Sequence, residues 1–280
     1  MRIPSCWSRR LMLAATTSLL LTSCQQVALH LDYSHPSVNQ DSRIQSVILH
    51  YTQIDDAQSL DELTRPESRV SAHYLVSREE RNGQPILYAL VPESQRAWHA
   101  GISHWQGAQA LNASSIGIEI VNLGYADTEA QLPLTERHWQ AYTPAQIRTL
   151  ALLLQQLVAR YQLAPTRLLG HSDIAPGRKV DPGPLFPWQQ LHQEYGLGAW
   201  PDERRVSELL ATPMPSITEI QTLLIRYGYG LPATGTLDAR TRHVLTAFQL
   251  HFRPARYDGQ PDRETVARLQ ALLEKYPPGN

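Results

Sequence analysis

Cysteine is nearly absent: Cys6 and Cys24 are the only two thiols in 280 residues. They form no CxxC pair, so neither a dithiol redox motif nor a cysteine-rich metal knuckle is available. Charge of one sign is also lacking. The net charge is −1, from 25 basic and 26 acidic residues, which removes the electrostatic case for a nucleic-acid partner. No P-loop, GxSxG or HExxH motif occurs, so the sequence offers no phosphate cradle, nucleophile elbow or helix-borne zinc pair. Leu11–Leu21 is a short apolar stretch, too short to span a bilayer comfortably as a helix. What is present is ordinary apolar content, 42% of residues. That supports one large domain, or a large one with a small companion.

The first residues read as a leader. Arg2, Arg9 and Arg10 precede the apolar stretch, which ends in Leu21-Thr22-Ser23-Cys24. This resembles a bacterial lipobox, in which the cysteine is lipidated and becomes the first mature residue. Ser8-Arg9-Arg10-Leu11-Met12-Leu13 also looks like a twin-arginine export signal, with Met12 in place of the usual Phe. The expectation is a signal peptide over 1–23, removal of Cys6 with it, and lipid on Cys24. With Gln25 after the cysteine, the resemblance implies a protein anchored at the periplasmic face of the outer membrane.

Residues 24–43 are polar and irregular and read as a tether. Ile44–Tyr51 is a continuous apolar run, expected as a strand buried on both faces. Leu60 and Leu63 suit a short helix that stops near Pro66. Two apolar runs around Asn82-Gly83 predict a hairpin. Ser114–Val121 alternates, with Ile116, Ile118 and Ile120 on one face and Gly117, Glu119 and Val121 on the other. Thr143-Pro144-Ala145-Gln146 is a capping-box start to a helix with an apolar stripe from Ile147 to Tyr161. Arg167–Gly170 is a short strand that delivers His171. Strands mixed with helices describe an α/β domain over 44–195. Gly196, Gly198, Pro201, Pro213 and Pro215 mark 196–215 as a linker or loosely packed connection. Helical periodicity over Ile217–Tyr227, Asp238–Phe252 and Asp262–Tyr276 predicts a three-helix module over 216–277.

The chemistry gathers in Leu168–Trp188, a loop stiffened by Pro176, Pro182, Pro184 and Pro187. His171 and Asp181 are ten positions apart, too far for helical spacing, but a loop that doubles back brings them together. Both are ordinary ligands of a catalytic Zn²⁺, which takes three protein ligands and keeps one position open. His50, closing the run Val47-Ile48-Leu49, is the best third candidate. Glu119 projects from an apolar strand, and buried carboxylates are rare unless paired or used.

Together these residues resemble the zinc-dependent N-acetylmuramoyl-L-alanine amidases of the peptidoglycan-recognition and T7-lysozyme fold. The matching pieces are Ile48–Thr52, Ser71–Val76, Ala97–Gly101, Asn112 with Ser115–Glu119, and Gly170–Gly183, in that order. The C-terminal module resembles a peptidoglycan-binding domain through Gly228-Tyr229, Gly235-Thr236-Leu237, Thr241 and Ala247-Phe248-Gln249. The resemblance implies a mixed central β-sheet flanked by helices, followed by the small three-helix domain. It implies one Zn²⁺ per chain on His50, His171 and Asp181, Glu119 as catalytic acid, and Lys179 beside the reacting carbonyl. His73 matches a position that is not a ligand. His99 and Asn112 are expected to contact substrate, and of Trp98, Trp105 and Trp139 two are expected to pack. The implied reaction is hydrolysis of the bond between the lactyl group of N-acetylmuramic acid and L-alanine, in peptidoglycan and muropeptides. The chain is read as a monomer. The rival readings are a non-catalytic peptidoglycan binder of the same fold, a zinc peptidase cutting within the stem peptide, and a purely structural lipoprotein.

Overall fold

The structure is a computed structural model that describes residues 29–278. The leader, Cys6, Cys24 and the start of the tether lie outside the described residues. Residues 29–41 carry no helix or strand, and from Ser42 onward the chain forms one compact unit. Among the described residues no helix is long and apolar enough to cross a membrane.

The first part of the fold is built on β1 (Ser46–Tyr51), α1 (Asp56–Thr64), β2 (Tyr74–Arg81), β3 (Gln84–Ala89), β4 (His104–Trp105), β5 (Ala108–Gln109), β6 (Ser115–Ile120), α2 (Pro144–Tyr161) and β7 (Leu168–Gly170). Five strands form one mixed sheet in the order β3-β2-β6-β1-β7, and β4 and β5 pair separately. β1 is the centre. It runs parallel to β6 and to β7, and every residue in it is buried, as the unbroken apolar run predicts. β2 pairs antiparallel with β3 across Asn82 and Gly83, both at positive φ. These two residue types tolerate that region and so turn the chain in two positions.

The two faces of β1 and β6 have different tasks. Val47, Leu49, Ile116, Ile118 and Ile120 share a core with Ile147, Leu150, Leu154 and Leu157 of α2. The opposite face carries His50, Gly117 and Glu119. α2 starts with the expected capping box, in which the Gln146 N–H donates to Thr143 Oγ1 and the Thr143 N–H donates to Gln146 Oε1, both at 3.1 Å. Gln146 Nε2 also donates to Val121 O at 2.7 Å, pinning the helix to the end of β6.

α3 (His171–Ile174), α4 (Trp188–Tyr195) and α5 (Glu203–Leu209) follow, and then the three predicted helices, α6 (Ile217–Tyr227), α7 (Ala239–Phe252) and α8 (Arg263–Lys275). The 196–215 stretch is not loose. α5 lies within it, and Val206 and Leu209 pack on Ala267 and Ala271 of α8. Trp200 is buried, and its indole N–H donates to Glu203 at 2.8 Å. Glycine and proline bend this segment without keeping it from the core.

Candidate metal and catalytic site

Register alone brings the key residues together. Leu49 pairs with Gly170, so His50 and His171 follow one another at the carboxyl ends of adjacent parallel strands. His50 pairs with Glu119 across β1 and β6. Strand partners project to the same side, and the carboxyl ends of parallel strands are where α/β sheets open their sites. Asp181 returns from the loop, held where the Ser172 N–H donates to Asp181 O at 2.9 Å. The Asp181–Pro182 peptide bond is cis.

His50 Nδ1, His171 Nδ1 and Asp181 Oδ2 form a small triangle with sides of 2.9, 3.1 and 3.0 Å. All three residues are buried. Among the described residues they are the group able to hold a metal ion. The hydrogen bonds behind the triangle show what it is for. Leu111 O can only accept, so the Ser115 hydroxyl donates to it at 2.6 Å. Ser115 Oγ then accepts from His99 Nε2–H at 3.3 Å, and His99 Nδ1 accepts from His50 Nε2–H at 3.0 Å. This relay leaves His50 Nδ1 with a bare lone pair. His171 Nε2–H donates to Ala100 O at 3.3 Å, which leaves His171 Nδ1 bare as well. Arg178 Nη2 is also 3.3 Å from that nitrogen, but it donates at 2.7 and 2.8 Å to Ala100 O and Ile102 O. Three lone-pair donors facing one point with no proton between them call for a cation. A tetrahedral Zn²⁺ with bonds of ~2.0–2.1 Å sets its donors about 3.3 Å apart, close to the spacing found. The residues therefore fit the metal.

Electrostatics agree. Burial lowers the His50 pKa to about 4, with His171 adding to the fall, so the ring is neutral and available. Burial also pushes His99 well below the ordinary histidine value, helped by His50. Glu119 goes the other way. Burial pushes it up to about 8, and the Asp181 charge adds to the rise while Lys179 opposes it. Glu119 as a whole residue is partly exposed, yet its Oε2 is enclosed and has no hydrogen-bond partner among the described residues. It faces a cavity of about 320 Å³ lined also by His50, His171, Lys179, Asp181 and Trp98.

Two sequence expectations change. His99 lines the cavity, but both ring nitrogens are spent on His50 and Ser115, so it orients a donor and has no nitrogen free for substrate. Its ring lies where a side chain on residue 117 would be, 2.3 Å from an added Cβ, which explains Gly117. Asn112 stays out of the cavity, and its Oδ1 accepts from the His99 and Ala100 N–H groups at 3.0 and 2.7 Å. It shapes the loop that carries His99. His73 is structural as expected, accepting from the Gly117 N–H at 2.9 Å and donating to Gln95 O. Trp105 is buried and Trp139 packs on Tyr51 and Tyr125, whereas Trp98 is half exposed at the cavity.

An α/β domain that sets such a donor triangle beside a raised carboxyl has the makings of a metal-assisted hydrolase. The family described as N-acetylmuramoyl-L-alanine amidase matches residues 40–184, and a putative peptidoglycan binding domain matches 213–269. The chain belongs to the N-acetylmuramoyl-L-alanine amidase family. It is 43% identical over 282 residues to the amidase AmiD of Escherichia coli, covering 96% of this chain and 99% of AmiD. The structure of E. coli AmiD in complex with the substrate anhydro-N-acetylmuramic acid-L-Ala-D-gamma-Glu-L-Lys is similar with a TM-score of 0.80, at 44% identity, over 89% of this chain and 96% of that one. AmpDh3 of Pseudomonas aeruginosa in complex with anhydromuramic pentapeptide is similar with a TM-score of 0.81, at 39% identity, over 89% of this chain and all of that one.

Proposed function

We propose that the chain hydrolyses the amide between N-acetylmuramic acid and L-alanine in peptidoglycan and muropeptides, with one Zn²⁺ held by His50, His171 and Asp181. The observation that carries this reading is the proton-free donor triangle opening on the same cavity as the unpartnered Glu119 carboxyl. The muropeptide ligands of AmiD and AmpDh3 support the choice of substrate.

An amide is a poor electrophile and water a poor nucleophile. When bound, the ion supplies Lewis acidity, which lowers the pKa of a water toward ~7 and polarises a carbonyl. Glu119 takes a proton from the attacking water and passes it to the leaving amine of L-alanine. The ion's charge would offset that of Asp181 and favour the ionised Glu119 that the first proton transfer requires. The Lys179 ammonium lies at the cavity and offsets the negative charge that develops on the carbonyl oxygen. His99 and Asn112 act behind these groups, the first fixing the His50 tautomer and the second fixing the loop of the first.

The mature chain begins at Cys24, carries lipid there, and sits at the periplasmic face of the outer membrane as a monomer. Residues 44–195 do the chemistry and 216–277 bind the wall. The test of the metal assignment is elemental analysis of the purified protein. Wild type should carry one zinc per chain and His50→Ala close to none, with hydrolysis lost alongside. Full zinc occupancy in His50→Ala would contradict the ligand set.

A further inference from the structure

The C-terminal module is fastened to the loop that carries two of the three donors. Asp173 lies two residues after His171 in α3 and is fully buried. Its Oδ2 accepts from the Gly170 N–H at 2.8 Å and from His251 Nδ1–H at 2.7 Å. Its Oδ1 accepts from the Tyr229 hydroxyl at 2.7 Å. Two of these three donors come from the C-terminal module. The His251 ring is stacked on Trp188, with ring centroids 3.7 Å apart, so its Nδ1 cannot wander. α7 touches the same loop a second time. The His243 ring occupies the place a side chain on residue 177 would take, 2.3 Å from an added Cβ, and Gly177 is at positive φ. His243 and His251 are eight positions apart, about two helical turns, so one face of α7 lies along the loop. Asp181 is tied to the first turn of α3 as well, because the Ser172 N–H donates to the Asp181 carbonyl at 2.9 Å. A shift of α3 therefore moves His171 and Asp181 together.

We propose that the C-terminal module is a working part of the metal site. His251 and Tyr229 are positioning residues that hold Asp173, and through it the turn that aims His171 and Asp181. Neither touches the cavity, and neither is a catalytic residue. A carboxylate enclosed with three donors gives a directional lock, whereas a purely apolar interface would let the turn slide. The module that binds the wall and the site that cuts it are then one mechanical unit. The inference rests on reading His50, His171 and Asp181 as the metal set.

The experiment uses the full chain in three variants. His251→Asn keeps a donor where Nδ1 stands, His251→Leu fills the space without one, and Tyr229→Phe keeps the ring and loses the hydroxyl. Zinc affinity is measured by competition with a chelator, and hydrogen exchange is followed across 170–181 in the metal-free protein. Groups behind metal ligands are worth ~10–100-fold in affinity. His251→Leu should therefore lose about tenfold and exchange faster in the loop, Tyr229→Phe should change in the same direction, and His251→Asn should recover most of the affinity. Tyr229→Phe alone decides the matter if His251→Leu does not fold. A packing role would give the reverse order, with His251→Leu near wild type and His251→Asn impaired. That order, or wild-type affinity and exchange in both His251→Leu and Tyr229→Phe, would overturn the proposal. If wild type binds no zinc, the metal reading itself fails, and the exchange data still judge the lock.

Discussion

His50 and Glu119 are register partners on adjacent parallel strands, so the imidazole and the carboxyl leave the sheet on the same face, one strand apart. They carry opposite fates. His50 Nδ1 converges with two other donors, whereas Glu119 Oε2 has no hydrogen-bond partner among the described residues. On the reading proposed above, one group would hold the ion and the other would move protons.

Glu119→Gln tests that division. The amide keeps the shape but cannot accept a proton at working pH. The variant should bind zinc as wild type does, and its turnover should fall by at least the ~10²-fold typical of a lost acid–base group. Zinc analysis beside turnover on a muropeptide checks both halves. Loss of zinc would make Glu119 a ligand or a support for one, and near-normal turnover would remove it from the mechanism.

The same substitution predicts a pH effect without metal. Burial raises the Glu119 carboxyl from 4.5 in the unfolded chain to about 8 in the folded protein. Between these values the folded state holds a proton that the unfolded chain releases, so stability falls as pH rises through that window. Glu119→Gln has no such proton. Metal-free Glu119→Gln should match metal-free wild type in Tm near pH 4.5 and exceed it by several degrees at pH 8. Parallel Tm-against-pH curves for the two chelated proteins would contradict the raised carboxyl.

The sequence around Cys24 predicts its own experiment. Cys24→Ala would remove the proposed lipid, which is the membrane attachment the sequence offers. After salt washing and digestion of the wall, the variant should fractionate with soluble periplasmic protein while wild type stays with membranes. Retention of Cys24→Ala on membranes would mean that another attachment exists.

Local signals made much of this fold legible in advance. The Thr143–Gln146 box, the Asn82-Gly83 turn and the alternation of Ile116, Ile118 and Ile120 each act within a few residues, where physical rules are short-ranged and strong. The helices of the C-terminal module were legible for the same reason. The 196–215 stretch misled because Gly196, Gly198, Pro201, Pro213 and Pro215 report how the backbone bends, not what Trp200, Val206 and Leu209 find to pack against. His171, Asp181, His50 and Glu119 were legible as unusual residues for their strands and loop. Their convergence depends on register across β1, β6 and β7, which sequence patterns do not fix. The role of His99 was hidden in tautomers, and the tie from Asp173 to Tyr229 and His251 spans 56 and 78 residues with no local mark.

Which bond is cut can be read from the products. Zinc-loaded protein is incubated with anhydro-N-acetylmuramic acid-L-Ala-D-gamma-Glu-L-Lys and the products are weighed by mass spectrometry. Two species are expected, free anhydro-N-acetylmuramic acid and the intact tripeptide with L-alanine at its amino end, and neither when the metal is chelated. Cleavage inside the peptide, or intact substrate after prolonged incubation with the zinc-loaded protein, would contradict it.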